Sequence, residues 1–282
     1  MSFNYTFLEQ ILFPNTTLKH QVLSEVLTNK TIVITGATFG IGEELTYILS
    51  AYKVNLILVA RTEEKLTQIK SNLSNTDAQI LTFATDLYNE NEVNELITSI
   101  YKTNLTVDFI VCNAGKSIRR SIFESVDRYH DFTRTISLNY LANVNLILGL
   151  LPHLEKSKGQ IINVSALNVK LNVSPYWSAY QASKCAMEQW ILSISPELKL
   201  KNITCTNVYL PLVRTRMIKP TAHYQSFPAM HPKHVAIKIA NAFISKTETI
   251  KPWWLNGLIF CNFLLKPFWS KISYILLKKN LL

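Results

Sequence analysis

Apolar residues fall along this chain in short continuous runs, separated by longer stretches in which they recur every three or four positions. The runs are rich in β-branched residues: Thr31–Thr35, Asn55–Ala60, Gln79–Ala84, Phe109–Asn113, Gln160–Ser165 and Ile203–Tyr209. A short apolar run without alternation suits a strand buried on both faces. Between them, Glu43–Ala51, Glu63–Leu73, Glu90–Tyr101, Asp131–Leu151 and Ala179–Leu198 carry the period of helices that lay one face on a core. Strands alternating with helices predict right-handed βαβ crossovers and an α/β fold, a doubly wound parallel sheet with helices on both faces. No internal repeat and no Pro/Gly/Ser-rich linker divides residues 30–250, so one domain is expected there. Residues 1–29 form an amino-terminal extension and 251–282 an apolar, Lys-rich tail.

The chain has 282 residues, 48% of them hydrophobic, enough for a sizeable core and too apolar for a disordered protein. Its formal charge of +10 is local: Pro211–Leu282 holds eleven Lys or Arg and one acid, Glu248, whereas residues 1–210 hold eighteen of each sign. A neutral body with a basic last quarter argues against nucleic acid and for a local contact with something anionic. Cys112, Cys185, Cys205 and Cys261 form no C-x-x-C pair, which suggests reduced thiols in a cytoplasmic protein. Met1–His20 has no basic segment leading to a small-residue cleavage site, so no secretory signal is expected. No metal site is expected either: of His20, His130, His153, His223, His231 and His234, only the last two are close, and no carboxylate cluster accompanies them. In the tail, Lys266-Pro267 and Lys271 interrupt the apolar residues before an uncharged run of about 18 accumulates. The five lysines without an acid in 251–282 instead suit a helix lying on an anionic membrane, peripheral rather than spanning. The alternative is an extension that covers the substrate pocket or a subunit interface.

Three of only seven glycines lie in Thr35-Gly36-Ala37-Thr38-Phe39-Gly40-Ile41-Gly42, between the first strand and the first helix. Glycine there lets the backbone turn tightly and approach a pyrophosphate at a helix amino terminus, or else simply makes a βα turn. The second strand ends Val59-Ala60-Arg61, and an Arg at that place pairs with a ribose 2′-phosphate where an acid would take a 2′-hydroxyl. NADPH is therefore the expected cofactor, against the alternative of a solvated Arg opening a helix. Tyr180 and Lys184, in Tyr180-Gln181-Ala182-Ser183-Lys184, share a helical face, so the ammonium is expected to bring the phenol down from its usual value of about 10. Such a Tyr can exchange protons near neutral pH.

Together these motifs resemble the short-chain dehydrogenase/reductase family from about Lys30 to Ile250, and so imply a Rossmann-type sheet. The T-G-x-x-x-G-x-G loop is intact, Asp86-Leu87 follows the third strand, Asn113-Ala114-Gly115 the fourth, and Asn139 sits in Ser137-Leu138-Asn139-Tyr140. The resemblance implies cofactor contacts from Gly36, Thr38, Gly40, Ile41, Gly42, Arg61, Asp86, Asn113, Lys184 and Thr215. It implies catalysis by Tyr180, Lys184 and Asn139, the last holding a water that relays protons to Lys184. Within the family the chain is similar to bacterial long-chain fatty acyl-CoA reductases of the wax-ester type. That similarity lies in Asn113–Arg120, Glu124-Ser125, Asp127-Arg128, His130-Asp131-Phe132 and Pro211-Leu212-Val213-Arg214-Thr215, with Met217-Ile218 and Pro220-Thr221. It implies an NADPH-dependent oxidoreductase acting on a lipid-type carbonyl, a long-chain acyl-CoA reduced to the aldehyde, and a homo-oligomer through the helices at 131–151 and 178–198. Arg214, Arg216 and Lys219 could then meet CoA phosphates.

One position departs from the family. The catalytic Ser is expected seven residues beyond Gly159, where Ala166 stands, while Ser165 lies fifteen before Tyr180. Either a local bulge brings the Ser165 hydroxyl into place or the site lacks that donor, with Asn168, Ser174 and Ser178 as weaker substitutes. Two other functions stay open at this point: a reductase of 3-oxoacyl, sterol or other ketones, and a membrane-associated cofactor-binding protein without turnover.

Overall fold

Seven strands run parallel in one sheet: β1 (Thr31–Thr35), β2 (Asn55–Ala60), β3 (Gln79–Ala84), β4 (Phe109–Cys112), β5 (Gln160–Ala166), β6 (Thr204–Leu210) and β7 (Thr249–Ile250). Their order, β3-β2-β1-β4-β5-β6-β7, reverses direction between β1 and β4, as the doubly wound expectation requires. The computed structural model of the protein describes residues 3–221, 224 and 226–279, so His223 and the last three tail residues lie outside the described residues.

Successive strand residues face opposite sides, and each side carries its own helices. Ile32, Ile34, Leu56, Leu58, Ile162 and Val164 look toward α3 (Gly40–Leu49), α4 (Glu63–Asn72) and α9 (Pro232–Ser245). Val33, Ile57, Val59, Ile110 and Ile161 look toward α5 (Glu90–Lys102), α7 (Ala142–Ser157) and α8 (Ser178–Leu200). The helices begin and end where local chemistry provides partners: the Asn89 side chain caps α5, His231 caps α9 with Pro232 in its first turn, and Lys158 closes α7 in the left-handed region. The helix expected at 131–151 is longer, running from α6 (Tyr129–Ile136) through a π turn at Ser137–Leu141 into α7. Among the described residues only this 129–157 stretch has the length and apolarity of a membrane span. Its Leu146, Ile147, Leu150 and Leu154 are buried against the sheet.

The hydrophobic pattern names no element in the extension or after β6, where the structure has several. Helix α9 is buried on nearly every side, from Val235 and Ala236 to Ala242 and Phe243, so it carries no one-faced period. The short α1 (Phe7–Leu12) buries only Glu9, and α2 (His20–Leu27) packs Leu23 and Leu27 against the core. In the tail, α10 (Leu255–Leu265) and α11 (Trp269–Lys278) are two short helices where the sequence suggests one.

The extension clasps the far end of the chain. Tyr5 bonds His234 and receives the His231 N–H, and the indoles of Trp253 and Trp254 donate to the Ile11 and Leu12 carbonyls. Glu9 accepts from the Arg214 guanidinium and from the Ala229 N–H at 3.0 Å, and so ties together the two ends of the loop between β6 and α9. Burial alone would raise the Glu9 carboxyl, but the Ala229 and Thr6 N–H groups and Arg214 more than offset it and hold it below the usual glutamate range. Its stabilisation is therefore present above the unfolded value of about 4.3 and is lost as pH falls through the lower folded one. Glu9→Gln should lower urea stability by about 2 kcal/mol at neutral pH, the scale of hydrogen bonds to a charged group. The difference from wild type should shrink on acidification.

Candidate active site

The turn from β1 into α3 is built around backbone contact. Gly36 and Gly40 have φ of +66° and +60°, left-handed values that an L side chain seldom adopts. A Cβ on Gly42 would lie 2.3 Å from the Gly36 carbonyl oxygen and 2.7 Å from Asn113 Nδ2, so only hydrogen fits. The Thr35 hydroxyl accepts the N–H groups of Asn113 and Ala114 at 3.0 Å and donates to the Val111 carbonyl. Asn113 Nδ2 returns bonds to the Thr35 and Gly36 carbonyls. The loops after β1 and β4 thus form one unit, with Thr38 buried and Ile41 packed at the start of α3. Thr215 closes a third side: a Cβ on Gly40 would come within 2.9 Å of its methyl.

Beside this cradle, at the ends of β2 and β3, stand Arg61 and Asp86. Arg61 is exposed and its guanidinium lies 5.4 Å from the Tyr88 ring centroid, while Asp86 Oδ1 accepts the Tyr88 N–H. Arg216, next to Thr215, stacks 3.2 Å from the centroid of Phe39 in the glycine turn. Its guanidinium is held below the usual arginine range by burial and then by the charge of Arg61, which places two cations at one edge of the cradle.

Tyr180 and Lys184 both stand on α8, and Lys184 donates to the Val164 carbonyl at 2.9 Å. Asn139, in the π turn, receives the Lys116 N–H and donates to the Lys116 carbonyl and to Ser183 Oγ. A Cβ on Gly115 would lie 3.2 Å from Asn139 Oδ1 and 3.6 Å from Lys184 Nζ, so the two meet across this glycine. Burial pulls the Lys184 amine down to about 8. The expected lowering of the Tyr180 phenol is not what the structure has: burial, aided by neighbouring Tyr224, pushes it up to about 12. Such a phenol stays protonated at neutral pH and is suited to give a proton rather than to take one.

The bulge considered for Ser165 is also absent. β5 and β6 keep one unbroken register from Gln160↔Thr204 to Ala166↔Leu210, with Ser165 opposite Tyr209. The Ser165 side chain consequently falls on the α8 side of the sheet, where its hydroxyl is buried without a hydrogen-bond partner. Asn168 Oδ1 is likewise buried and unpaired, Ser174 holds Gln181 through its N–H, and Ser178 opens α8.

A sequence model described as short chain dehydrogenase matches residues 30–225. The chain belongs to the short-chain dehydrogenase family. It is 40% identical over 227 residues to a fatty acyl-CoA reductase of Acinetobacter baylyi, covering 80% of this chain and 77% of that one. A fatty acyl-CoA reductase of Mycobacterium tuberculosis is 33% identical over 249 residues, 83% and 84% of the two chains. Among solved structures, a metagenomic short-chain oxidoreductase in complex with NADP superposes with a TM-score of 0.68 at 23% identity, over 80% of this chain and 96% of that one. A Sphingobium yanoikuyae short-chain dehydrogenase in complex with NADPH gives 0.71 at 20% identity, over 78% and 86%.

This short-chain dehydrogenase is thus an oxidoreductase that uses a nicotinamide dinucleotide. The side-chain-free approach of Gly36, Gly42 and the β4 loop fits the close backbone contacts such a cofactor requires. Trp177 and Tyr224, absent from the residues expected at the site, cover the phenol: Trp177 packs edge-on to Tyr180, and Tyr224 stacks on Trp177 with centroids 5.7 Å apart. Nothing in their spacing marks them, because they come from separate loops joined only by the fold. Ser183 was legible as part of the Tyr–Lys motif, but not as the partner of Asn139. Gly42→Ala should reduce nicotinamide-nucleotide binding by about tenfold or more, measured by quenching of intrinsic fluorescence, because the methyl would force the two loops apart.

Proposed function

We propose that this enzyme uses NADPH to reduce long-chain acyl-CoA to the fatty aldehyde. The relation to the Acinetobacter baylyi fatty acyl-CoA reductase, 40% identity across most of both chains, carries this reading. Arg61, supported on Tyr88 with Arg216 nearby, supports NADPH, since a guanidinium fork suits a 2′-phosphate. Gly36, Thr38, Gly40, Ile41 and Gly42 hold the cofactor's diphosphate side, Asp86 the adenine side, and Asn113, Lys184 and Thr215 the nicotinamide side. When bound, the reduced nicotinamide supplies a hydride.

Tyr180, kept protonated by burial, gives its proton to the carbonyl oxygen, while the Ser165 hydroxyl, enclosed in the interior with no bulge to bring it out, is not offered to that oxygen. Lys184 and Asn139, facing each other across Gly115, restore the proton to Tyr180 through a water held at Asn139. On a thioester the product is a thiohemiacetal, whose C–S bond breaks to release aldehyde and CoA thiol. The substrate is an amphiphile, and in this reading the enzyme works in the cytoplasm at the edge of a membrane.

A panel of long-chain acyl-CoA, 3-oxoacyl and steroid ketones, assayed for NADPH consumption with product identification, tests the reading. Acyl-CoA should yield aldehyde and free thiol; turnover of ketones alone would replace it with a ketone reductase. Tyr180→Phe should abolish turnover. Arg61→Ala should raise the KM for NADPH by about tenfold or more and leave that for NADH little changed, as expected for loss of a charge-assisted pair.

A further inference from the structure

Both ends of the chain leave large apolar side chains in solvent. On α1, Phe7 and Leu8 are 80% and 53% exposed, and Ile11 lies one turn beyond Phe7 on the same face. In the tail, Phe260, Phe263 and Phe268 are each more than 60% exposed. A soluble monomer seldom shows so much apolar surface in one place without a use for it. The two sets are continuous, because the Trp253 indole, itself 65% exposed, donates to the Ile11 carbonyl.

Charge says what this surface meets. Residues 251–282 contain no acid, and Lys266, Lys271, Lys278 and Lys279 stand exposed among the aromatic residues. On α1 the single carboxylate, Glu9, is buried and committed to Arg214. Aromatic rings that bury themselves at headgroup depth, with lysines whose stems reach back to the phosphates, are the composition of an interfacial surface. Helices α10 and α11 have 11 and 10 residues, too few for the roughly 20 that cross a bilayer.

The tail is also fastened to the active-site loop between β5 and α8. The Asn172 N–H donates to Asn262 Oδ1 at 2.7 Å, and the Trp269 indole donates to the Val173 carbonyl at 2.7 Å. Four and five residues later that loop delivers Trp177, which covers Tyr180, and α8. A surface seated on lipid through α10 and α11 would thus hold this loop beside the bilayer.

We propose that α1, α10 and α11 together form one docking surface for an anionic lipid bilayer. The proposal does not depend on which carbonyl the enzyme reduces, and its test needs no turnover. Full-length protein is floated with vesicles of phosphatidylcholine, or of phosphatidylcholine mixed with phosphatidylglycerol, at low and high salt. The protein should float with the mixed vesicles and be released by salt. Phe260→Ser with Phe263→Ser, Phe7→Ser with Leu8→Ser, and Lys271→Glu with Lys278→Glu should each weaken vesicle binding by about tenfold or more. Each should retain the wild-type thermal transition and nicotinamide-nucleotide binding, which shows that the fold is intact. Absence of flotation, or equal flotation with uncharged vesicles, would overturn the proposal. So would binding that survives the α1 substitutions, or a soluble dimer that these substitutions dissociate without any lipid binding by the wild type.

Discussion

The contact between two backbone turns, after β1 and after β4, is what the site depends on. Gly42 can lie against the Gly36 carbonyl only because it has no side chain, Gly36 lies closely against Ala114, and Thr35 and Asn113 then lace the turns with five hydrogen bonds. This contact lies at the carboxyl ends of two paired central strands, where the direction of winding reverses. It also puts Gly115, two residues past Asn113, where Asn139 and Lys184 can approach from two different helices. The glycine turn and the cluster of Tyr180, Lys184 and Asn139 are consequently parts of one hydrogen-bonded corner.

Much of this corner could be read from the residues alone, because its constraints are local. Glycines at fixed offsets, an Arg closing a strand and a Tyr and Lys one helical turn apart need no distant partner to be recognised. The six longer strands were legible too, since a buried parallel strand is a run of branched apolar residues. Strand β7, with two residues, is too short for any pattern. Trp177 and Tyr224 were invisible because their meaning comes from a meeting of loops. The register of β5 against β6 was equally beyond the sequence, and it decides which way Ser165 points.

The proton chemistry shows where local reasoning fails. A Tyr and a Lys one turn apart suggest an ammonium that lowers a phenol, yet Lys184 is buried and Tyr180 half-buried under aromatic rings, and burial penalises whichever form is charged. The phenol moves up and the amine moves down, while the Lys184 Nζ is engaged by the Val164 carbonyl. Burial thus favours the neutral form of each group, and a positive charge brought near would do more to the balance than it could in water.

Glu9 and the two tryptophans at 253 and 254 give the chain an unusual order of assembly. Their partners lie more than 200 residues away in sequence, so α1 is held by contacts that form only once both distant segments are made. On the ribosome the Glu9 carboxylate must wait without its partners until Arg214 and Ala229 have emerged and α9 has docked. The loop between β6 and α9 stays untied at both ends until then, so its closure is a step separate from, and later than, formation of the sheet.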